Sequence, residues 1–247
     1  TIKGIDEADN LAGEVSWISP IARALLKARE GDAVKLQTYR PDTITLNCHG
    51  EDFMVRGGLW DGRSLYELYE EAHTPWDWHA PLFARARQAG ITIFSSPFDA
   101  SAVDLLEDLN APAYKIASFE AVDPALIKYV ASTGKPMIIS TGMATVAEID
   151  EAARTARDAG CQEIILLKCT STYPATPANT NICTIPNMRD AFGCQVGLSD
   201  HTMGIGVAVA SVALGATLIE KHFTLRRADG GVDSSFSLEP EEFAQLR

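Results

Sequence analysis

Seven apolar runs recur along the chain, and most are continuous rather than alternating between apolar and polar positions. Continuous runs of this length are typical of β-strands that are covered on both faces, as in a parallel sheet. The sequence therefore predicts seven strands, with a more weakly marked eighth strand at residues 1–6. The seven runs are AVKLQT (33–38), ITIFSSPF (91–98), AYKIAS (113–118), PMIIST (136–141), EIILLKCT (163–170), QVGLSD (195–200) and TLIEKHFT (217–224).

Helical patterns lie between these runs, and the clearest covers residues 145–160. Thr145 and Glu148 predict a capping box at its start, and Gly160 predicts its end. Its expected apolar stripe consists of Val146, Ile149, Ala153 and Ala156.

From the second run onwards, one strand and one helix recur every 22 to 32 residues or so, which is the size of a βα unit. Eight such units in roughly 250 residues are typical of a TIM (β/α)8 barrel. We therefore expect residues 1–247 to form one TIM-barrel catalytic domain whose first βα unit is atypical. A doubly wound open sheet is the alternative, although no Gly-x-Gly-x-x-Gly motif follows a first strand to indicate dinucleotide binding.

Residues 41–79 interrupt this rhythm. The segment is too long for an ordinary loop, and it contains three of the four tryptophans. Long structured insertions on a barrel usually shape the binding site. A surface subdomain or an oligomer contact is the alternative interpretation.

The composition is that of a soluble globular protein, with 46% hydrophobic and 22% charged residues. A formal net charge of −12 argues against general nucleic-acid binding. Neither a membrane span nor a signal peptide is recognisable. Five cysteines without a C-x-x-C pair favour a reducing cytoplasm over a disulfide or zinc framework. Because the chain lacks an initiator Met and closes on the opening of a helix, we expect a part of a longer protein.

Polar side chains cluster toward the carboxyl ends of the predicted strands. In a TIM barrel these ends meet on one face, where the active site lies. Lysines with several hydroxyl groups provide the fixed positive charge and the donors that a phosphate or carboxylate group requires. The residues concerned are Lys35, Gln37, Ser95, Ser96, Lys115, Ser118, Ser140, Thr141, Lys168, Thr170, Ser171, Tyr173, Ser199, Asp200, His201, Lys221 and His222.

His201 and His222 end two consecutive strands and can reach one divalent ion. Such an ion would polarise a carbonyl oxygen as a Lewis acid, and water or substrate would complete its ligands. A structural role for each histidine is the alternative.

The lysines allow more than one interpretation. Lys168 could form a Schiff base, as in a barrel aldolase, although nothing else in the sequence supports that chemistry. Lys35 and Lys115 suit anion ligands, and a salt bridge to a barrel carboxylate is the alternative for each. Cys169 is expected to serve in packing.

Seven motifs follow one another in order: VKLQT, FSSPF, YKIASFE, IISTGMAT, CTSTYP, VGLSDHTMG and IEKHFTL. Together they resemble the sialic acid synthase family, whose members join phosphoenolpyruvate (PEP) to an amino-sugar aldehyde on a TIM barrel. The resemblance covers the chain from about residue 33 to its end. Residues 51–79, with YKIASFEA and LKCTSTYP, most resemble the pseudaminic acid synthase branch. That branch uses a 2,4-diacetamido-2,4,6-trideoxy altrose instead of N-acetylmannosamine.

The resemblance implies roles for individual residues. His201 and His222 would bind Mn²⁺ or Mg²⁺, which would polarise the aldehyde while C3 of PEP attacks it. Water would then add to C2 of PEP, and phosphate would leave by C–O cleavage. Lys115 would be catalytic as well as a PEP ligand. The residues that would hold PEP are Lys35, Ser96, Lys115, Ser118, Ser140, Ser171 (Asn in better-known relatives) and Ser199, and those that would contact the sugar are Gln37, Tyr173 and Asp233.

Two departures from the family's pattern stand out. The family's first strand ends in Ala-Glu, followed by Asn-His-x-Gly, whereas this chain has IDEADNLAG with Leu11 in place of the His. The catalytic base would then be Asp6 or Glu7. The family's small C-terminal domain, which resembles antifreeze proteins and supplies an Arg across a homodimer, is not expected in this chain. N-acetylneuraminate synthesis and a non-catalytic barrel that binds PEP and metal are therefore the alternative functions.

Overall fold

Two sheets make up the strand structure of the protein. The structure is a computed structural model that describes residues 31–246 and the backbone of residues 2–3 and 15–16. Strands β1 (Ile2–Lys3) and β2 (Val15–Ser16) form a short parallel pair. The larger sheet is curled and has seven parallel strands, hydrogen-bonded in the order of the sequence. They are β3 (Ala33–Thr38), β4 (Thr92–Pro97), β5 (Tyr114–Ile116), β6 (Met137–Ser140), β7 (Ile164–Cys169), β8 (Gln195–Asp200) and β9 (Ile219–Lys221).

The seven predicted strands are confirmed, and most are shorter than the apolar runs that indicated them. Their sequential order is that of a TIM barrel and differs from the reversing order of a doubly wound sheet. Of the predicted eighth strand at residues 1–6, the structure describes Ile2–Lys3, which pairs with β2.

Helices alternate with the strands, as a parallel sheet requires. Six of them, α3 to α8, each connect one strand of the large sheet to the next. None of the helices within residues 31–246 is long and apolar enough to cross a membrane. The helices are α1 (Pro41–Ile44), α2 (Leu65–Ala72), α3 (Trp76–Ala89), α4 (Ala100–Asp108), α5 (Pro124–Ala131), α6 (Val146–Asp158), α7 (Thr184–Phe192), α8 (Gly206–Ala213) and α9 (Pro240–Leu246).

Helix α6 shows how local sequence sets an element. Thr145 accepts the Glu148 N–H, and the Glu148 carboxylate accepts the Thr145 N–H at 2.7 Å, which confirms the capping box. The predicted apolar stripe is wrong at Val146, which is the first residue of the helix and is 72% exposed. Ala152 is buried in the stripe instead.

The main hydrophobic core lies between the sheet and the helices that cover it. Its strand residues occupy alternate positions, among them Leu36, Ile93 and Ile116, so their side chains share the outer face. The intervening positions Phe94, Ile138 and Leu167 form a separate, smaller apolar cluster on the inner face. The inner face is therefore apolar at these positions, and the side chains nearer the carboxyl ends of the strands decide what the site can bind.

The interrupting segment has secondary structure of its own. It contains α1, α2 and an antiparallel bridge between Met54 and Ser64, and its last residues already form the start of α3. The buried His79 of α3 donates Nδ1–H to the Pro75 carbonyl (3.2 Å), so its Nε2 accepts from the Thr38 hydroxyl (2.8 Å). His79 therefore fastens α3 to β3 on the outer face of the sheet.

Candidate active site at the carboxyl ends of the strands

Glu220 is the centre of a buried charged cluster above the inner apolar layer. Its Oε1 accepts from Lys115 Nζ (2.5 Å) and from Ser199 Oγ (3.1 Å). Lys35 Nζ lies 3.6 Å from the same oxygen. The structure therefore brings together three residues that the sequence predicted for PEP binding, and it adds a carboxylate that the predicted site left out.

The charges of this cluster support one another. Burial alone would raise the pKa of Glu220, but the nearby ammonium groups of Lys115 and Lys35 outweigh it and hold this pKa far below its ordinary value. Burial lowers the pKa of Lys35, and the Glu220 carboxylate opposes that shift. With Glu220 and both lysines ionised, two positive charges face one negative charge, so the cluster retains an excess positive charge for an anion.

The side chains of Asp200 and Lys221 lie on the outer face of the sheet, away from the charged cluster. Lys221 Nζ donates to Asp200 Oδ2 (2.8 Å) and to the Thr202 carbonyl (2.7 Å), and both side chains are almost completely buried. Because successive side chains of a strand alternate between faces, Ser199 and Glu220 are directed inward while their neighbours pair outside. The suggestion that Asp200 and Lys221 belong to the polar site is therefore wrong.

Lys168 also lies away from the charged cluster. Its Nζ donates to the Cys169 carbonyl (3.0 Å) and to Thr170 Oγ1 (2.7 Å). It lies two positions after Leu166, which belongs to the core on the outer face, so it occupies the outer face of β7. The structure thus gives the Schiff-base interpretation no support at this lysine.

Two predicted serines have buried hydroxyl groups with free hydrogen-bonding capacity. Ser96 is 0% exposed and Ser140 is 2% exposed. Within residues 31–246, neither Oγ has a hydrogen-bond partner. A buried hydroxyl without a partner costs about 1–3 kcal/mol, so the two are best explained as donors for a ligand.

Gly142, which follows β6, lets three further side chains converge. Ser118 Oγ accepts its N–H at 3.2 Å. A Cβ at this position would lie 3.0 Å from both Ser118 Oγ and Cys169 Sγ, and closer still to Ser171 Oγ. A side chain at this position would therefore force the Ser171 hydroxyl to move. The STGMAT motif was the sequence signal, although Gly142 was absent from the predicted site.

Cys169 contacts the site as well as packing in it. Its Sγ lies 3.9 Å from Ser171 Oγ. Burial would raise its pKa, but the His201 imidazole and the Ser118 hydroxyl lower it to about 7. Cys169 is therefore packed in the structure, as predicted, and its thiol also lies close to His201.

The two predicted metal ligands lie side by side, with ring centroids 5.3 Å apart. His201 donates Nδ1–H to the Thr170 carbonyl (2.9 Å), and His222 Nδ1 lies 3.3 Å from Asp233 Oδ2. Burial lowers the pKa of His222 despite Asp233, which favours the neutral ring that binds metals.

A divalent cation is compatible with this pair. Each ring has its Nδ1 oriented by an oxygen acceptor, as is usual for metal-binding histidines, so a metal would bind through Nε2. No group of three or more His, Cys, Asp or Glu residues that could hold a metal occurs among the described residues. The two imidazoles would thus hold an open site that water or substrate completes.

Aromatic rings pack against the two histidines. Tyr173 lies 4.4 Å from His201, and Phe236 lies 5.0 Å from His222, between ring centroids. Trp60 of the interrupting segment packs on Tyr173 at 5.7 Å. Burial raises the pKa of Tyr173, so its hydroxyl stays protonated.

Glu120, from the YKIASFE motif, is a second carboxylate that the predicted site did not include. Burial raises its pKa to about 7, while Lys115 opposes this shift. Its Oε2 is buried and has no hydrogen-bond partner within the described part of the chain. Gln37 lies two positions after Lys35, on the same face of β3. Asp6 and Glu7, predicted as alternative bases, lie outside the described residues.

Fold and site together define a class: a TIM-barrel-like α/β protein with a lysine-rich charged cluster and a histidine pair at the carboxyl ends of its strands. The NeuB family profile matches residues 24–247, so the chain belongs to the NeuB family. This family assignment rests on most of the chain.

Individual relatives give more detail. The chain is 45% identical to pseudaminic acid synthase of Campylobacter jejuni over 237 residues, which are 96% of this chain and 69% of that protein. It is 45% identical to pseudaminic acid synthase of Helicobacter pylori over 221 residues, covering 90% of this chain and 65% of that protein. Among solved structures, N-acetylneuraminic acid synthetase of Leptospira borgpetersenii superposes with a TM-score of 0.77 at 28% identity, covering 87% of this chain and 70% of that chain.

Proposed function

We propose that the protein condenses PEP with 2,4-diacetamido-2,4,6-trideoxy-L-altrose to form pseudaminic acid and release phosphate. The observation that carries this proposal is the 45% identity to pseudaminic acid synthases over 90% or more of the chain. The geometry of the site supports it, because an anion pocket adjoins a histidine pair and an aromatic border.

PEP is the anionic substrate, and the charged cluster is its site in this proposal. Lys35 and Lys115 supply the charge, and Glu220 keeps both ammonium groups in place. The unpartnered hydroxyls of Ser96 and Ser140 supply donors for phosphate or carboxylate oxygens. Ser118, Ser171 and Ser199 line the same space around Gly142 and Glu220.

The sugar aldehyde belongs next to the histidines. His201 and His222 would hold Mn²⁺ or Mg²⁺, which supplies Lewis acidity to the aldehyde oxygen when bound. Tyr173 and Asp233 border the same space, and Asp233 also orients His222. In this proposal, the electron-poor carbon of the aldehyde lies beside the bound PEP.

The bonds that change are few. A C–C bond forms between C3 of PEP and the aldehyde carbon, water adds to C2, and the C2–O bond to phosphate breaks. The lysines stabilise the charge on the departing phosphate, because they are fixed before the reaction begins. Removal of the proton from water is assigned to Asp6 or Glu7, a prediction for residues outside the described part.

Three finer expectations accompany this proposal. An eighth strand closes the seven-stranded sheet into a barrel, the protein acts in the cytoplasm, and the full-length protein is a homodimer. Light scattering of the purified protein would decide the last of these.

The direct test is phosphate release from PEP in the presence of Mn²⁺, with the diacetamido-trideoxy altrose and N-acetylmannosamine offered separately. We expect release with the first sugar and loss of release after chelation by EDTA. Release with N-acetylmannosamine alone would instead establish N-acetylneuraminate synthesis, the activity for which the Leptospira protein is named. PEP binding without release from either sugar would indicate the non-catalytic alternative.

A further inference from the structure

Trp60 lies at the tip of a hairpin within the interrupting segment. Val55 N–H donates to the Arg63 carbonyl, and Gly62 N–H donates to the Val55 carbonyl, both at 2.9 Å. Gly57 and Gly58 have φ values of +75°, which a residue with a side chain rarely adopts. These hydrogen bonds and glycine conformations favour a single hairpin conformation, which holds Trp60 in a defined position.

Two contacts join Trp60 to loops of the candidate site. Its Nε1–H donates to the Val232 carbonyl (3.0 Å), next to the Asp233 that orients His222. Its ring packs on Tyr173, whose ring in turn packs on His201. Because the only polar atom of the indole is already bonded, its contribution to a ligand is its apolar face.

The site becomes less polar from its inner layer to its border. The charged cluster around Glu220 lies within the strands, and His201 and His222 follow the strand ends. Tyr173 borders these histidines, and Trp60 is one ring farther out. A substrate that reacts beside the histidines would therefore place its far end against these aromatic rings.

We propose that Trp60 is a specificity-determining residue, forming with Tyr173 an apolar platform for the methyl groups of the sugar substrate. This inference rests on the proposed function, whose sugar carries two acetamido groups and a 6-deoxy carbon. A methyl group gains contact on a desolvated ring, whereas a hydroxyl group there loses its hydrogen bonds to water. One methyl-sized difference in an apolar pocket changes specificity by about 10- to 200-fold.

The test compares Trp60→Ala with Trp60→Phe and with Trp76→Phe as a matched control. Trp76 belongs to the same half of the chain, and its Nε1–H is likewise tethered to a carbonyl, that of Tyr39 (3.1 Å). Each variant is assayed for kcat and KM with both sugars and for KM with PEP. Saturation-transfer NMR from the aromatic protons to the sugar's methyl protons reports binding without turnover.

We expect Trp60→Ala to lower kcat/KM for the diacetamido sugar by about 10-fold or more, mainly through KM. It should weaken saturation transfer to the methyl protons and leave the KM for PEP within about twofold. Trp60→Phe, which keeps an apolar ring, should retain most of the preference, and Trp76→Phe should retain all of it. Equal effects of Trp60→Ala on both sugars, or unchanged saturation transfer, would overturn the inference.

The two proposals fail in different ways. Wild-type protein that uses only N-acetylmannosamine contradicts the proposed function, and the acetamido methyl signal then still decides whether Trp60 contacts the sugar. Wild-type protein that uses the diacetamido sugar, with Trp60→Ala equally active and selective, contradicts the role of Trp60 alone. Binding of neither sugar contradicts both proposals.

Discussion

Two buried clusters of lysine and carboxylate lie on opposite faces of strand β9. On the outer face, Lys221 pairs with Asp200 at 2.8 Å. On the inner face, Lys115 and Lys35 share Glu220. Both clusters pair lysine with a carboxylate, but the side chains are 0–1% exposed in the outer cluster and 4–17% exposed in the inner cluster. The two clusters also differ in which charges and hydrogen-bonding groups lack partners.

The outer cluster is complete. Lys221 has two acceptors, Asp200 Oδ2 and the Thr202 carbonyl, and Asp200 Oδ1 accepts from both the Thr202 N–H (2.9 Å) and the Thr202 hydroxyl (2.8 Å). One positive charge faces one negative charge. Such a cluster stabilises the fold and offers nothing to a ligand.

The inner cluster is incomplete. Two ammonium groups face one carboxylate, and the hydroxyls of Ser96 and Ser140 lack partners among residues 31–246. Excess charge and unused donors both cost free energy that a bound anion restores. The combination of lysine and carboxylate alone therefore does not distinguish a structural ion pair from a site, whereas charge balance and hydrogen-bond saturation do.

Removing the lysine of the complete cluster should give the largest effect. Lys221→Met leaves the Asp200 carboxylate buried without its counter-charge, and we expect the free energy of unfolding to fall by about 3–5 kcal/mol. Urea unfolding followed by circular dichroism measures this loss. The double variant Asp200→Asn with Lys221→Met removes both charges and should recover much of the stability. A loss below about 1 kcal/mol for the single variant would contradict the structural role.

Removing a lysine of the incomplete cluster should act on binding instead. In Lys115→Met, Glu220 keeps Lys35 and the Ser199 hydroxyl, so the remaining charges balance. We expect PEP affinity to fall about 30- to 100-fold, equivalent to about 2–3 kcal/mol for charge-assisted hydrogen bonds. Unfolding should change by less than about 1 kcal/mol. Titration calorimetry with PEP gives the affinity, and unchanged affinity with a large loss of stability would reverse the assignment.

The sequence predicted the strands well because each continuous apolar run marks a strand covered on both faces. The same continuity hid which polar side chains face inward. A shift of one position along a strand moves a side chain to the other face of the sheet. The prediction therefore grouped Lys221 and Lys168 with inward-facing residues, although both lysines lie on the outer face. Pairing neighbouring strands in register would have been needed to see this.

The residues that the predicted site omitted depended on tertiary contacts. Glu220 directly precedes Lys221 in the sequence, so the two side chains are expected on opposite faces of the strand. The two lysines that contact Glu220, however, come from strands that are distant in the sequence. Gly142 and Trp60 act through neighbours that are remote in the chain. The roles predicted for the individual site residues stay predictions until the variants are measured.

The two inner carboxylates should differ in their pH dependence. The pKa of Glu120 is raised to about 7 by burial, so its contribution to stability is present below its unfolded pKa and is lost as pH rises through 7. Between pH 5 and 8, wild type should therefore lose about 1–3 kcal/mol of unfolding free energy relative to Glu120→Gln. The pKa of Glu220 is lowered, and its ionised form persists across this range.

Urea unfolding at several pH values measures the Glu120 difference. Glu148→Gln is the control, because hydrogen bonds from Thr145 lower the pKa of that carboxylate and it stays ionised over the same range. Equal pH profiles for wild type and Glu120→Gln would mean that Glu120 is not desolvated as the structure indicates.

The smallest effect, and the closest comparison, involves two adjacent serines on β4. Ser96 faces inward and its Oγ has no hydrogen-bond partner in the described part of the chain, whereas Ser95 faces outward with its Oγ 2.6 Å from Thr38 Oγ1. Ser96→Ala should lower PEP affinity about five- to tenfold, because one donor to the anion is lost, and it should leave stability equal or slightly higher. Ser95→Ala should lower the free energy of unfolding by about 1 kcal/mol and leave PEP affinity unchanged. Titration calorimetry and urea unfolding on both variants separate the two effects. If both serines behaved alike, hydrogen-bond saturation would not be the property that separates the site from the scaffold.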